Sequence, residues 1–181
     1  MKHFYRLTIL MLLVLSGCGY RHPAARQVDA GDLPIFTGAW ENRTNELALE
    51  GLLLQKTADW LQQSPRLRLE ADPEQADYLL SGTIEAVNYP ATAFDSSDRA
   101  TTLRALVKVT YRLRQRATGQ LLWEINDVVR ERNFQAGDDA LLQRSNKDAA
   151  LAVIADELAE MIYLNVLTSL RSSPAGDTTA R

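Results

Sequence analysis

Five basic side chains lie at even-numbered positions of one short stretch of the sequence, and anion binding is the chemistry that they could perform. They are Arg104, Lys108, Arg112, Arg114 and Arg116. Side chains an even number of residues apart share one face of a β-strand, so the stretch predicts a row of cations on one side of a sheet. Arginine suits phosphate because its planar guanidinium forms two charge-assisted hydrogen bonds at once.

The same row has a second interpretation, a solvated sheet face without a ligand, since charges also protect sheets from aggregation. Within the row, Arg112 is expected to pair with Glu124 of the neighbouring strand. Arg99, in the preceding loop, could extend the row. No acidic partner is obvious on the same face for the other four, which are therefore the predicted anion contacts: Arg104, Lys108, Arg114 and Arg116.

Residues suited to catalysis or to metal binding are scarce. The sequence holds one cysteine, Cys18, and two histidines, His3 and His22. A histidine-based triad or a zinc site is therefore close to excluded. Glu85 and Glu124 are predicted on exposed strand faces, without evidence of the environment that raises the pKa of a general acid. We expect a protein that is not an enzyme and that has no metal.

Cys18 closes a segment with the features of an export signal. Lys2 and Arg6 precede an apolar run at residues 7–15, which is too short to span a bilayer as a helix. The ending Leu-Ser-Gly-Cys resembles the lipobox of bacterial lipoproteins, in which the cysteine is acylated and becomes the new first residue. The lipidation site is therefore predicted at Cys18, and no cofactor is expected apart from this covalent lipid, such as palmitate. Gly19 favours the outer membrane by the same resemblance.

The remaining sequence is long enough for one domain with a real core. We predict a signal peptide at residues 1–17, a lipidated tether at 18–33, a single domain at 34–171 and a disordered tail at 172–181. The net charge of the whole sequence is −3, and loss of the basic signal would make it more negative. This balance argues against nucleic-acid binding.

Two segments have the period of an amphipathic helix. In the first, which lies between Asn45 and Pro65, Gly51 is expected where another backbone passes closely. The apolar face of that helix is formed by Leu47, Gly51, Leu54, Ala58 and Leu61, and it is widened by Leu52, Leu53 and Trp60. The second runs from Ser145 to Leu170, with Ser145 at its N-terminal cap. Its apolar stripe is formed by Ala152, Ala155, Ala159, Ile162 and Val166.

Four segments have the features of strands. A first strand at residues 34–40 is weakened by Gly38, and a second with alternating polarity starts at Asp77. The third, at residues 103–115, places apolar side chains on one face and the basic row on the other. Between the second and third strands, residues 89–98 are expected to form a loop that could contact a partner.

The fourth strand, at residues 121–132, forms a hairpin with the third, and face matching predicts its register. Pairing Leu113 with Trp123 keeps the apolar faces of both strands on one side. The same register opposes Arg112 to Glu124, and it places Gly119 at the left-handed position of the turn. It would also oppose Val109 to Asp127, so we expect a β-bulge or the sheet margin there.

This order of elements predicts an α+β fold. We expect a two-layer sandwich in which a four-stranded, mostly antiparallel sheet has both helices packed on one face. Trp60, Tyr111 and Trp123 fall on the inferred core faces, so their predicted role is packing.

Several motifs in order resemble the LptE family of lipopolysaccharide-assembly lipoproteins. They include Cys18-Gly19-Tyr20, the segment from Trp40 to Thr44, the segment from Asp72 to Ile84, and the hairpin from Arg116 to Glu124. The resemblance extends over residues 18–170. The sequence departs from the family at the first strand, which Gly38 and Ala39 interrupt.

The resemblance implies a protein that sits inside the LptD β-barrel of the outer membrane, assists assembly of that barrel and binds lipopolysaccharide during its delivery to the outer leaflet. The predicted cation contacts would then bind the phosphorylated head of lipopolysaccharide. A lipid anchor would hold the protein at the periplasmic face of the outer membrane. The alternative is a structural lipoprotein of another envelope machine, such as a secretion system, with the same anchor and fold but without lipopolysaccharide binding.

Overall fold

The computed structural model describes residues 32–172. The predictions for the signal peptide, Cys18 and most of the tether and tail lie outside the described residues. The strands are β1 (Leu33–Thr37), β2 (Glu41–Asn42), β3 (Leu67–Leu69), β4 (Tyr78–Asn88), β5 (Ala91–Phe94), β6 (Ala100–Gln115) and β7 (Leu121–Gln135). The helices are α1 (Leu49–Gln62) and α2 (Ala140–Ser172), and a short 3-10 turn spans Pro73–Gln75.

The seven strands form one mixed sheet. β1 pairs in parallel with β3 and β4, and β2 pairs in parallel with β4. β6 is antiparallel to β4, β5 and β7. The predicted α+β class with two helices is therefore confirmed, but the predicted four-stranded, mostly antiparallel sheet is wrong in detail. The additional strands β2, β3 and β5 have two to four residues, too few to display a period of two.

Two segments differ from the predicted strand boundaries. The first strand ends at Thr37, and the chain resumes pairing only at Glu41, so the interruption expected at Gly38 and Ala39 is present. Residues 89–98, predicted as a loop, contain β5.

The hairpin of β6 and β7 has the predicted register. Leu113 pairs with Trp123, and Tyr111 pairs with Ile125. Gly119 has a φ of 68°, the left-handed conformation that glycine adopts at little cost. The pairing shifts between Val109 and Tyr111, where Asp127 has a positive φ of 57°. The β-bulge expected at Asp127 is confirmed.

The buried face of the first helix was predicted correctly only in part, at Leu53 and Leu61. α1 starts at Leu49 and buries Leu49, Leu53, Thr57 and Leu61, whereas Leu47 precedes the helix and is 83% exposed. A Cβ added at Gly51 would meet no described atom within 4 Å, so the close approach expected there is wrong. A Cβ at Gly82 of β4 would instead overlap the ring of the buried Trp40.

Four of the five residues predicted for the apolar stripe of the second helix are buried, and Ala152 is half-buried. Ala155, Ala159, Ile162 and Val166 are fully buried. The helix starts earlier than expected, because the Asp139 carboxylate accepts a hydrogen bond of 2.8 Å from the Leu142 amide and satisfies a donor of the first turn. Ser145 therefore lies within the helix and is not its cap.

One core joins the sheet and the two helices. The odd-numbered side chains of β6 from Ala105 to Leu113 are fully buried in this core. Tyr111 packs edge-to-face against Trp123 with ring centroids 5.7 Å apart, and Trp60 packs against Tyr163 at 5.7 Å. The packing role predicted for these three aromatic residues is confirmed.

Candidate functional site

The basic row lies on the face of the sheet that points away from the core, here called the outer face. Because the odd-numbered residues of β6 are buried in the core, the even-numbered side chains project from the opposite side. The outer face of β6 thus carries Arg104, Lys108, Arg112 and Arg114, with Arg116 directly after the strand. The predicted geometry of the row is therefore correct.

Arg112 has the predicted partner. It lies opposite Glu124 in the hairpin, and its Nη1 is 3.5 Å from Glu124 Oε1. Its Nε also donates to Ser81 Oγ on β4 at 3.2 Å. These contacts hold the guanidinium over the middle of the sheet, where both neighbouring strands restrict its movement.

The expectation that the other four cations lack acidic partners is wrong for Arg104. Its Nη1 is 3.4 Å from Glu131 Oε1, and its Nε donates to Asn133 Oδ1 at 3.2 Å. Glu131 pairs with Leu106 in the register and is therefore diagonal to Arg104. Long side chains reach such diagonal neighbours, so a search for directly opposed charges misses the pair.

Lys108 also has a partner, which the β-bulge provides. Its Nζ lies 2.5 Å from Asp127 Oδ1. The hydrogen bond from Lys108 to Asp127 raises the pKa of the lysine, and the negative charge of the carboxylate adds to the effect. The residue that disturbs the strand register thus places its carboxylate beside Lys108.

Arg116 bonds to the turn before β4. Its Nη1 is 3.5 Å from Glu74 Oε2, and its Nε donates to the Ala76 carbonyl at 2.6 Å. The turn is held by Asp72, whose carboxylate accepts a hydrogen bond of 2.9 Å from the Glu74 amide. Glu74 lies outside the strands, so the strand pattern does not reveal this pair.

Arg114 is the one residue of the row that matches the expectation of having no acidic partner. It is exposed, and it forms no ion pair or side-chain hydrogen bond with any residue in the described range 32–170. Its neighbours in the register are the apolar Leu79 on β4 and Leu121 on β7. Arg114 is therefore the cation of the row that can bind an anion without giving up a carboxylate.

A second charged cluster on the outer face was missed from the sequence. Arg43, just after β2, donates to Glu41 at 3.0 Å and to Glu85 of β4 at 3.0 Å. The hydrogen bond from Arg43 lowers the pKa of Glu41, although partial desolvation opposes it. Because β2 has only two residues, the sequence has no strand-like alternation there that would reveal its pairing with β4. The outer face consequently carries interleaved charges of both signs.

A polar cluster lies at the end of the sheet where β4 and β7 terminate. Glu46 accepts hydrogen bonds from Tyr89 and from Lys147. Two adjoining pockets of about 480 and 470 Å³ border this cluster, and both include Arg144 and Lys147. In the segment predicted as a partner-binding loop, Tyr89 is thus engaged within the fold, whereas Phe94 is 60% exposed.

Clusters of metal ligands and helices that could span a bilayer are both absent from the described part of the chain. Within residues 32–170, the acidic, histidine and cysteine side chains form no group of three that could hold a metal ion. In the same range, neither helix combines the length and the apolar composition needed to cross a bilayer.

The chain matches a known protein family in sequence. The model of the LptE family, described as lipopolysaccharide-assembly, matches residues 34–166. No curated protein matches the chain in sequence.

Solved structures of similar fold come from several bacteria. A protein from Caulobacter crescentus described as a lipoprotein has a TM-score of 0.55 at 22% identity, with 77% of this chain and 92% of that chain covered. A protein from Xanthomonas campestris has a TM-score of 0.55 at 10% identity, covering 83% and 94%. An uncharacterised lipoprotein B from Nitrosomonas europaea has a TM-score of 0.50 at 12% identity, covering 81% and 91%. These similarities establish the fold alone.

Proposed function

The chain belongs to the LptE lipopolysaccharide-assembly family, and from this premise we propose that it is a non-catalytic outer-membrane lipoprotein that plugs an LptD-type β-barrel. In this role it assists assembly of the barrel and binds lipopolysaccharide on its way to the outer leaflet. The observation that carries the proposal is the extent of the family match, since residues 34–166 comprise the sheet except Leu33, all of α1 and most of α2.

Arg114 is the proposed primary contact with lipopolysaccharide. It lies exposed on the outer face, its charge is not neutralised by a described carboxylate, and Leu79 and Leu121 beside it offer apolar surface. A guanidinium next to apolar side chains suits a phosphate attached to a lipid.

The remaining predicted contacts are proposed to bind lipopolysaccharide by exchanging a carboxylate partner for a phosphate. Arg104, Lys108 and Arg116 each have a carboxylate partner in the free protein. Exposed ion pairs contribute roughly 0–1 kcal/mol, so a phosphate can replace a carboxylate at small cost. A ligand with several phosphates can contact several of these cations at once, which offsets the repulsion from the displaced carboxylates and favours it over a single phosphate ion.

The lipid on Cys18 is proposed to hold the protein at the periplasmic face of the outer membrane. Two or more acyl chains give stable attachment, since each buried CH2 group contributes about 0.8 kcal/mol. The tether of residues 18–33 would then join this anchor to the sheet at β1.

The test is an affinity purification of the intact lipoprotein from detergent-solubilised outer membranes, with its partners identified by mass spectrometry. Recovery of an LptD-type barrel in stoichiometric amount supports the proposal. Recovery of a different envelope complex without such a barrel contradicts it and favours the structural-lipoprotein alternative. An Arg114→Ala variant that still recovers the barrel but binds purified lipopolysaccharide more weakly would separate barrel binding from lipopolysaccharide binding.

A further inference from the structure

One contact between the sheet and α2 joins an arginine to a methionine sulfur. Arg130 of β7 donates from Nη2 to Met161 Sδ of α2 at 3.0 Å. Its Nη1 donates to the Val129 carbonyl at 2.9 Å, which restricts the movement of the guanidinium. Arg130 forms no ion pair with any residue in the described range 32–170. Since arginine has five N–H groups, the guanidinium keeps donors for a further oxygen acceptor.

Small molecules can reach this contact from solvent. Arg130 and Met161 line an open cavity of about 400 Å³ between β7 and α2, together with Glu157, Glu160 and Leu164. Met161 is half-buried and also packs against the core, so its side chain contacts both the protein interior and the cavity. A water molecule occupies about 30 Å³. The cavity therefore admits a small reagent and leaves room for one atom added to the sulfur.

Met161 is also the methionine that the mature chain would retain. The sequence has three methionines, Met1, Met11 and Met161. The first two lie in the predicted signal peptide, so its removal before Cys18 leaves Met161. The thioether of methionine is polarisable, and oxidants convert it to a sulfoxide where they can reach it. Any methionine oxidation of the mature protein is therefore expected at this one sulfur.

We propose that Met161 is an oxidative modification site whose sulfoxide is bound by the guanidinium of Arg130. The oxidant is hydrogen peroxide. A lone pair of Sδ attacks one peroxide oxygen and forms the S–O bond while the O–O bond breaks. A proton moves from the attacked oxygen to the departing one, which leaves as water, so the sulfur is oxidised and the peroxide is reduced. The carboxylates of Glu157 and Glu160 repel anions from the cavity, which favours this uncharged oxidant.

Arg130 determines how oxidation affects the fold. A sulfoxide is polar, and its formation usually disrupts apolar packing. The thioether sulfur is a weak hydrogen-bond acceptor, whereas the sulfoxide oxygen is a strong one beside a charged donor. The hydrogen bond between β7 and α2 therefore becomes stronger as the apolar contact of Met161 becomes weaker. We expect the fold to tolerate oxidation with Arg130 present and to lose stability on oxidation without it.

The test treats the purified full-length lipoprotein, in detergent and without urea, with hydrogen peroxide. Peptide mass spectrometry measures the fraction of Met161 that has gained one oxygen atom. Urea denaturation then compares the treated and untreated protein. The variant is Arg130→Ala, and Arg130→Leu replaces it if the alanine variant does not fold. The matched control is Arg132→Ala, because Arg132 also joins β7 to α2 but does so through the Glu157 carboxylate, at 3.8 Å. Met161→Leu measures any effect of peroxide elsewhere in the chain.

We expect the folded wild type to be oxidised at Met161 within about tenfold of the rate of free methionine, as suits a sulfur that solvent reaches. Oxidation should lower the urea midpoint clearly more in Arg130→Ala than in the wild type or in Arg132→Ala.

Two results would each overturn the inference. One is protection of Met161 from peroxide in the folded protein. The other is a fall of the urea midpoint in the wild type that is as large as the fall in Arg130→Ala. Because these measurements use the isolated protein and need neither a barrel nor lipopolysaccharide, their failure would leave the proposed function standing.

Discussion

The ammonium group of Lys147 lies 2.5 Å from Glu46 Oε1, and 101 residues separate the two in sequence. Tyr89 donates a second hydrogen bond to the same carboxylate and lies beneath the lysine, whose Nζ is 5.6 Å from the ring centroid. Glu46 belongs to the loop before α1, Tyr89 follows β4, and Lys147 is in the second turn of α2. The cluster thus joins three separate parts of the chain at one end of the sheet.

Replacing Glu46 with glutamine should destabilise the protein. The change leaves Lys147 without its carboxylate in a site where both side chains are largely shielded, and broken charged hydrogen bonds of this kind cost about 1–3 kcal/mol. Urea denaturation measures the free energy of unfolding. The control is Glu74→Gln, which removes the exposed partner of Arg116 and should cost less than about 1 kcal/mol. Equal losses in the two variants would contradict a special role for the cluster.

The contribution of Glu46 should depend on pH. Burial acts to raise its pKa, but the hydrogen bonds from Lys147 and Tyr89 outweigh burial and place the pKa below the ordinary value of 4.5. A carboxyl group with a lowered pKa in the folded state stabilises the fold above its unfolded pKa, and it loses that effect as pH falls through the folded pKa. The stability difference between wild type and Glu46→Gln should therefore be constant above pH 5.5 or so and shrink below about pH 4.5. A difference unchanged in acid would refute this explanation.

Alanine substitutions at two glycines should have opposite effects. In Gly82→Ala the new methyl group would overlap the ring of Trp40, so we expect a loss of about 1–3 kcal/mol from overpacking. In Gly51→Ala the methyl group has free space beside α1, and the higher helix propensity of alanine should stabilise the protein by about 0.5–1 kcal/mol. Thermal unfolding of both variants measures these effects. A stabilised Gly82→Ala would mean that Trp40 can move aside.

Arg114→Ala should weaken binding to purified lipopolysaccharide without affecting the fold. Since Arg114 has no described ion pair to lose, its stability change should stay within about 0.5 kcal/mol. The affinity should fall about three- to tenfold through loss of a charge-assisted hydrogen bond. Arg66→Ala is the matched control, because Arg66 is an exposed arginine beside β3 with no ion pair in the described range 32–170. Equal binding by both variants would remove Arg114 from the proposed site.

Cys18→Ala should change attachment and leave folding intact. The acyl chains provide the membrane affinity in the proposed function, whereas residues 34–166 form the domain that matches the family. Membrane fractionation should therefore find the variant more loosely attached than the wild type, held only through its barrel partner, and circular dichroism should find it folded. Loss of folded protein would instead mean that the lipid or its export route is needed for folding.

The pattern within α2 and the pairing of the adjacent strands β6 and β7 were predictable from the sequence, whereas the pattern within α1 was predictable only in part. The register of β6 and β7, the β-bulge at Asp127 and the buried stripe of α2 all follow from one requirement, that apolar side chains share a face. The same requirement places Arg112 opposite Glu124, because a short turn leaves few registers to choose from. For the row of cations, the sequence was therefore sufficient to determine which face carries the charges.

Tertiary structure decided what those charges and the remaining segments contact. Lys108 bonds to Asp127 through a bulge, Arg116 bonds to a turn 42 residues away, and β1 pairs in parallel with strands that follow it across a helix. Such contacts depend on which distant segments come together once the core has formed. A period of two or 3.6 residues predicts the face of a single strand or helix, but it does not predict which distant segment will contact that face. For this reason Arg114 emerged as the unpaired cation only when the whole sheet was assembled.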